Sequence, residues 1–191
     1  MKKILSIFVV SFALVFSSNL FANKIGVIYD SGGKFDKSFN ELAFRTAERV
    51  KNELGWEMIE FEAANNTQIE QGMRKVADRG ANLVVAMGFA QADAVAAIAP
   101  QYPDVNFVAV DVCWVDDPAG NIYQACYKEH EGSFLVGMLA AMASKSGKIG
   151  FVGGMDIPLI RKFQGGYEQG ALYVNPDIEI HANMTGTTPE A

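Results

Sequence analysis

The chain has 191 residues, half of them hydrophobic, with 16 basic against 22 acidic side chains and a net charge of −6. That length holds one ordinary core and part of a second, and the interspersed charges, with no basic run after Lys3, exclude the concentrated basic face that nucleic acid requires. Two isolated histidines, His130 and His181, and two cysteines, Cys113 and Cys126, at a spacing that fits no zinc motif leave a metal site without support.

Residues 1–22 read as a secretory leader: Lys2-Lys3, an apolar run from Ile4 to Phe16, then SSNLFA ending at Ala22. The run is shorter than the roughly 20 apolar residues a membrane-spanning helix needs. Leu20 is larger than the residue usual at its place before a cleavage site, so slow or slightly displaced cleavage is the expectation. No cysteine lies near Ala22 for acylation, and the mature product is expected free in a periplasm. In an exported chain Cys113 and Cys126 either pair as a disulfide or stay as two small buried thiols.

From residue 24 the pattern alternates. KIGVIY (24–29) predicts a strand, and a helix follows over about 38–54 with Phe39, Leu42, Ala43, Ala47, Val50 and Leu54 at three- and four-residue intervals, stopped by Gly55. WEMIEF (56–61), NLVVAM (82–87) and NFVAV (106–110) predict three more strands, with helices over 67–79 and 90–99. Ser38-x-x-Glu41 and Thr67-x-x-Glu70 are capping-box patterns for two of the helices. Near-continuous apolar strands separated by helices of this length mean a parallel sheet covered on both faces, a doubly wound α/β lobe over 23–129. Beyond the extended IYQACY (122–127), a helix over about 131–144, the strand KIGFVGG, a helix over about 159–173 and DIEIHA begin a second α/β lobe, 130–191, too short of strands to cover its own sheet.

In open parallel sheets, ligands bind outside the carboxyl ends of the strands. Asp30 with Gly32-Gly33, Gly88 and Asp111 occupy those ends in the first lobe, and Gly153-Gly154 in the second. DSGGKFDKS lacks the spacing of a dinucleotide loop and the closing Gly-Lys-Ser/Thr of a P-loop, and its carboxylates repel phosphate. An uncharged polar ligand suits it better, since a carboxylate accepts from hydroxyl or ring N–H groups and an aromatic ring offers a stacking face. Each residue also has a plainer reading: Ser38 as an N-cap, Phe39 as core, Asp30 and Asp111 as turn starters, Asp36 as a complement to the helix dipole.

DSGGKFDKSFNELA, KEHEGSFLVGMLAAM (128–142), KIGFVGGMDIPLIRKFQGGYEQGA (148–171) and GTTPEA, in this order, resemble the basic membrane protein family, the purine-nucleoside-binding proteins of ABC importers with a type I periplasmic binding protein fold. The resemblance implies capture of a purine nucleoside without catalysis or cofactor, delivery to an inner-membrane permease, and a monomer at full length. It implies a base held between Phe39 and Phe163, with Asp111 on the base edge and Asp30, Ser38, Asn40 and the turn at Gly88 around it. Family members run well over a hundred residues further, so a C-terminally truncated form is expected, with the ribose contacts beyond Ala191. Two other readings share these residues: a binding protein for a sugar or small signal, and an exported nucleoside hydrolase using Asp30, Asp36 and Asp111, whose acids are spread too widely for a metal-dependent hydrolase.

Overall fold

The structure, a computed structural model, describes residues 23–186. The predicted leader 1–22 lies outside the described residues. The chain divides into two compact units between Gln124 and Ala125.

Unit one runs β1 (Lys24–Tyr29), α1 (Phe39–Leu54), β2 (Glu57–Glu62), a 3₁₀ turn (Asn66–Gln68), α2 (Ile69–Asp78), β3 (Leu83–Met87), a 3₁₀ turn (Phe89–Gln91), α3 (Ala92–Ile98), a 3₁₀ turn (Ala99–Gln101), β4 (Asn106–Val110) and β5 (Ile122–Ala125). The sheet order is β2-β1-β3-β4-β5, and β1 pairs in parallel with both β2 and β3, as β3 does with β4. Strand periodicity explains the apolar runs. Ile25, Val27 and Tyr29 join a cluster with Ala47 of α1 on one face, whereas Ile28 joins Met73, Val76, Val95 and Ile98 of α2 and α3 on the other. Because both faces are covered, every second residue is as buried as its neighbour. Gly26 allows the close approach of α2, since a Cβ there would lie 2.0 Å from Val76 Cγ1.

Three expectations need correction. IYQACY contributes a fifth strand to the sheet, with Phe107 N donating to Asn121 O at 2.8 Å. Leu42 and Leu54 are exposed, and α1 packs through Phe39, Ala43, Phe44, Ala47 and Val50 instead. Neither capping box forms: Ser38 stands at the N-cap of α1 without a side-chain cap bond, and the Thr67 hydroxyl donates to Asn65 Oδ1 within a 3₁₀ turn that precedes α2.

Unit two comprises α4 (Glu129–Ala143), β6 (Lys148–Gly153), α5 (Pro158–Val174) and β7 (Glu179–Met184), with β6 and β7 a parallel pair in register Lys148↔Glu179. The two helices pack through glycines. A Cβ at Gly137, Gly166 or Gly170 would come within 1.9 to 2.3 Å of the facing helix's carbonyl oxygens, those of Tyr167, His130 and Phe134. Cys113 and Cys126, the chain's two cysteines, are both disulfide-bonded. Closing a loop of about 15 residues removes roughly 3 kcal/mol of entropy from the unfolded chain.

Candidate functional site

Asp30, Gly88 and Asp111 each follow directly on the carboxyl end of β1, β3 or β4, three strands adjacent in the sheet, so the parallel register brings them to one edge. The turn after β1 is built around Asp30. Gly33 N donates to Asp30 O at 3.2 Å and Gly32 N to Asp30 Oδ1 at 2.8 Å, an Asx turn inside a β-turn. Gly33 takes φ +77, which its missing Cβ permits.

Asn40, fully buried on the first turn of α1, locks this turn from the other side. Its Nδ2 donates to Asp30 Oδ1 at 2.6 Å and to Gly33 O at 3.0 Å, and its Oδ1 accepts from Asp30 N at 3.3 Å. Oδ1 of Asp30 is thereby saturated. Oδ2 accepts no bond among the described residues and lies on the side of Gly88, where a Cβ would be 3.5 Å away. Gly88 has φ +93, so any side chain there is strained. Asp111 has φ +65, and with Lys37 it is one of two non-glycine residues in the left-handed region among the described residues. Such a backbone costs about 1 kcal/mol or more and is tolerated best by Asn and Asp.

Asp36, read from the sequence as a complement to the helix dipole, and Lys34, which pattern reading passed over, tie the loop to its surroundings. Asp36 caps α1 in place of Ser38: its Oδ1 accepts from Ser38 N at 2.8 Å and Glu41 N at 3.2 Å, and its Oδ2 from Asn40 N at 3.0 Å. Partial burial pushes the Asp36 carboxyl up, but the N–H groups of Asn40, Ser38, Glu41 and Phe39 outweigh it and hold the group below its ordinary range. The Asp-x-Ser spacing is the signal that was available, as an Asx turn ahead of a helix. Lys34 ties the loop to β2, with Nζ 2.6 Å from Glu60 Oε1 and its backbone N donating to Glu62 Oε2 at 3.2 Å. The same ammonium stands 3.7 Å from the Phe44 ring centroid. Tyr29 donates to Glu60 at 2.7 Å, and burial together with that carboxylate pushes its hydroxyl well up.

The remaining predicted residues are placed as follows. Ser38 is exposed, and Phe39 is half-buried, with its ring packed against the cluster of Ile25, Val27 and Tyr29. Phe163 lies on α5 of unit two, 37% exposed, next to Lys162, whose Nζ is 3.3 Å from Glu129 Oε2. No cluster of three or more His, Cys, Asp or Glu residues suited to a metal occurs among the described residues.

Comparison with known proteins gives the family. Residues 22–191 match the family of PnrA-like ABC transporter substrate-binding proteins, Bmp. The chain belongs to this family. It is 36% identical over 166 residues to basic membrane protein A of Borreliella burgdorferi, covering 86% of this chain and 48% of that protein. It is 31% identical over 172 residues to the ABC transporter nucleoside-binding protein BmpA of Lactococcus lactis, covering 88% of this chain and 48% of that one. A solved ABC transporter solute-binding protein of Aeropyrum pernix superposes with a TM-score of 0.74 at 29% identity, over 86% of this chain and 48% of that chain. The chain therefore spans about half the length of the curated relatives it matches. These relatives are binding proteins of transporters rather than enzymes.

Proposed function

We propose that this Bmp-family chain serves as the receptor part of an extracytoplasmic ABC importer, and that its ligand is a purine nucleoside. The supporting observation is Asp30: one carboxylate oxygen is consumed in building the turn, and the other is left as a fixed acceptor at the carboxyl edge of the sheet. An acceptor preorganised in this way suits the neutral hydroxyl and ring N–H donors of a nucleoside and disfavours phosphates. The name of the Lactococcus relative, a nucleoside-binding protein, supports the same ligand class. Asp111, held in its left-handed conformation at the neighbouring strand end, is assigned to the base edge, with Ser38, Asn40 and Gly88 shaping the surroundings. Phe39 is assigned to stacking, and the exposed ring of Phe163 is a second candidate for the same kind of contact. Delivery to a membrane permease completes the role.

Calorimetric titration with inosine, adenosine, guanosine and, as a sugar control, ribose tests the reading. Binding of the nucleosides but not of ribose is expected, with Asp30→Asn weakening it about tenfold or more through loss of a charge-assisted hydrogen bond of roughly 1.5 kcal/mol or above. Preference for ribose over every nucleoside would overturn the ligand class, and an unchanged affinity in Asp30→Asn would remove Asp30 from the site.

A further inference from the structure

Beneath the Asp30 turn lies a residue that the site described so far does not use. Gln91 closes the 3₁₀ turn Phe89–Gln91, where its backbone N donates to Gly88 O at 3.1 Å. Its side chain is fully buried. Its Nε2 donates to Ile28 O at 3.0 Å and to Met87 O at 2.9 Å. Those carbonyls belong to adjacent strands, two residues before Asp30 on β1 and one residue before Gly88 on β3. A parallel ladder satisfies carbonyls from the neighbouring strand's N–H groups, and it runs out here because β3 ends at Met87 and Gly88 turns away at φ +93. A single carboxamide with two protons ties the ends of both strands together just past the last paired residues, Ile28 and Ala86.

We propose that Gln91 is a positioning residue of the candidate ligand site, the strut that sets the separation between the Asp30 carboxylate and the Gly88 turn. The proposal rests on the reading of that edge as the ligand site. The separation matters because Asp30 Oδ2 faces the Gly88 turn, where a Cβ would stand 3.5 Å from it, so a small splaying of β1 from β3 moves the acceptor relative to that turn. Gln91 also carries a buried Oε1 with no hydrogen-bond partner.

Unit one supplies its own control. Asn121 is likewise buried, donates Nδ2 to Ala99 O, Tyr102 O and Val105 O at 2.8 to 3.0 Å, and leaves its Oδ1 unpartnered. It sits beside the amino end of β4, at the opposite edge of the sheet from Asp30 and Gly88. Comparing Gln91→Met with Asn121→Leu therefore separates positioning from stability.

In the full chain, ¹H–¹⁵N spectra are expected to show displaced resonances for Gly32, Gly88 and the Asn40 side-chain amide in Gln91→Met, and unmoved ones in Asn121→Leu. Inosine affinity is expected to fall about tenfold in the first variant and to stay within twofold in the second, a difference of about 1.4 kcal/mol at tenfold. If Gln91→Met does not fold, Gln91→Asn, a two-proton donor one methylene short, must give the same displacement. Unmoved site resonances in the Gln91 variant, or equal movement in Asn121→Leu, overturn the proposal. A wild-type protein that ignores inosine counts against the nucleoside reading alone, and the resonance comparison still decides the role of Gln91.

Discussion

Unit one and unit two are written in the same strand-and-helix pattern, yet they bury their apolar residues to different extents. In unit one, Ile28, Val84, Val95, Ile98 and Phe107 have no solvent exposure, because α1 covers one face of the sheet while α2 and α3 cover the other. In unit two the buried cluster is Ala141, Ala171 and Ile178, whereas Leu135, Val136, Leu139, Met142 and Val152 are all more than half exposed. An apolar residue at helical or strand spacing specifies which way a face points. Burial requires a second layer opposite it. Among the described residues, unit two offers its helices a two-stranded sheet and each other, and the glycine seam of α4 against α5 is its tightest packing.

The sharpest test of that contrast truncates one large side chain in each unit. Phe107→Ala is expected to cost about 3 to 5 kcal/mol, because a filled site becomes a cavity, whereas Leu139→Ala should stay within about 0.5 kcal/mol, as exposed substitutions do. Urea unfolding measured separately on each variant decides it, and a loss above 2 kcal/mol for Leu139→Ala would mean that its face is covered in solution.

A smaller effect is expected at the helix seam. Gly170→Ala places a methyl 1.9 Å from the Phe134 carbonyl oxygen, a backbone atom that no rotamer change can move aside. Forcing α4 and α5 apart should cost about 1 to 3 kcal/mol, and should be visible as a loss of amide-exchange protection in unit two with unit one unchanged. Equal loss of protection in both units would show that they unfold as a single cooperative body.

The smallest effect belongs to the cap of α1. Asp36→Ala is expected to lower stability by about 1 kcal/mol at neutral pH. Since the folded-state value of Asp36 is depressed, its contribution is present above the ordinary carboxylate range and is lost as the pH falls through the lowered folded value. The stability difference between wild type and Asp36→Ala should therefore close in acid, and a difference independent of pH would assign the cap to an uncharged interaction.

Element identity was legible from local pattern because periodicity is a property of a few consecutive residues. β1, β3, β4 and β6 were located to within a residue, and Asp30, Gly88 and Asp111 to the carboxyl edge, because strand direction in a parallel sheet follows from the alternation with helices. What local pattern misassigned were hydrogen bonds with more than one candidate partner. Ser38 and Asp36 both stand where a helix cap can form, and the choice of Asp36 follows from the path of the Asp30 to Gly33 turn, itself held by Asn40 from the far side. Gln91 reads as an ordinary polar residue in GFAQADAV, since nothing in its neighbours tells that its carboxamide meets two carbonyls, 63 and 4 residues away in the chain. By itself the sequence determined the parallel α/β architecture and the strand ends at which Asp30, Gly88 and Asp111 stand, both of which rest on spacing along the chain. Only the tertiary structure decided which oxygen of Asp30 is used in building its turn, which residue caps α1 and which apolar faces are covered, because each depends on groups brought together in space.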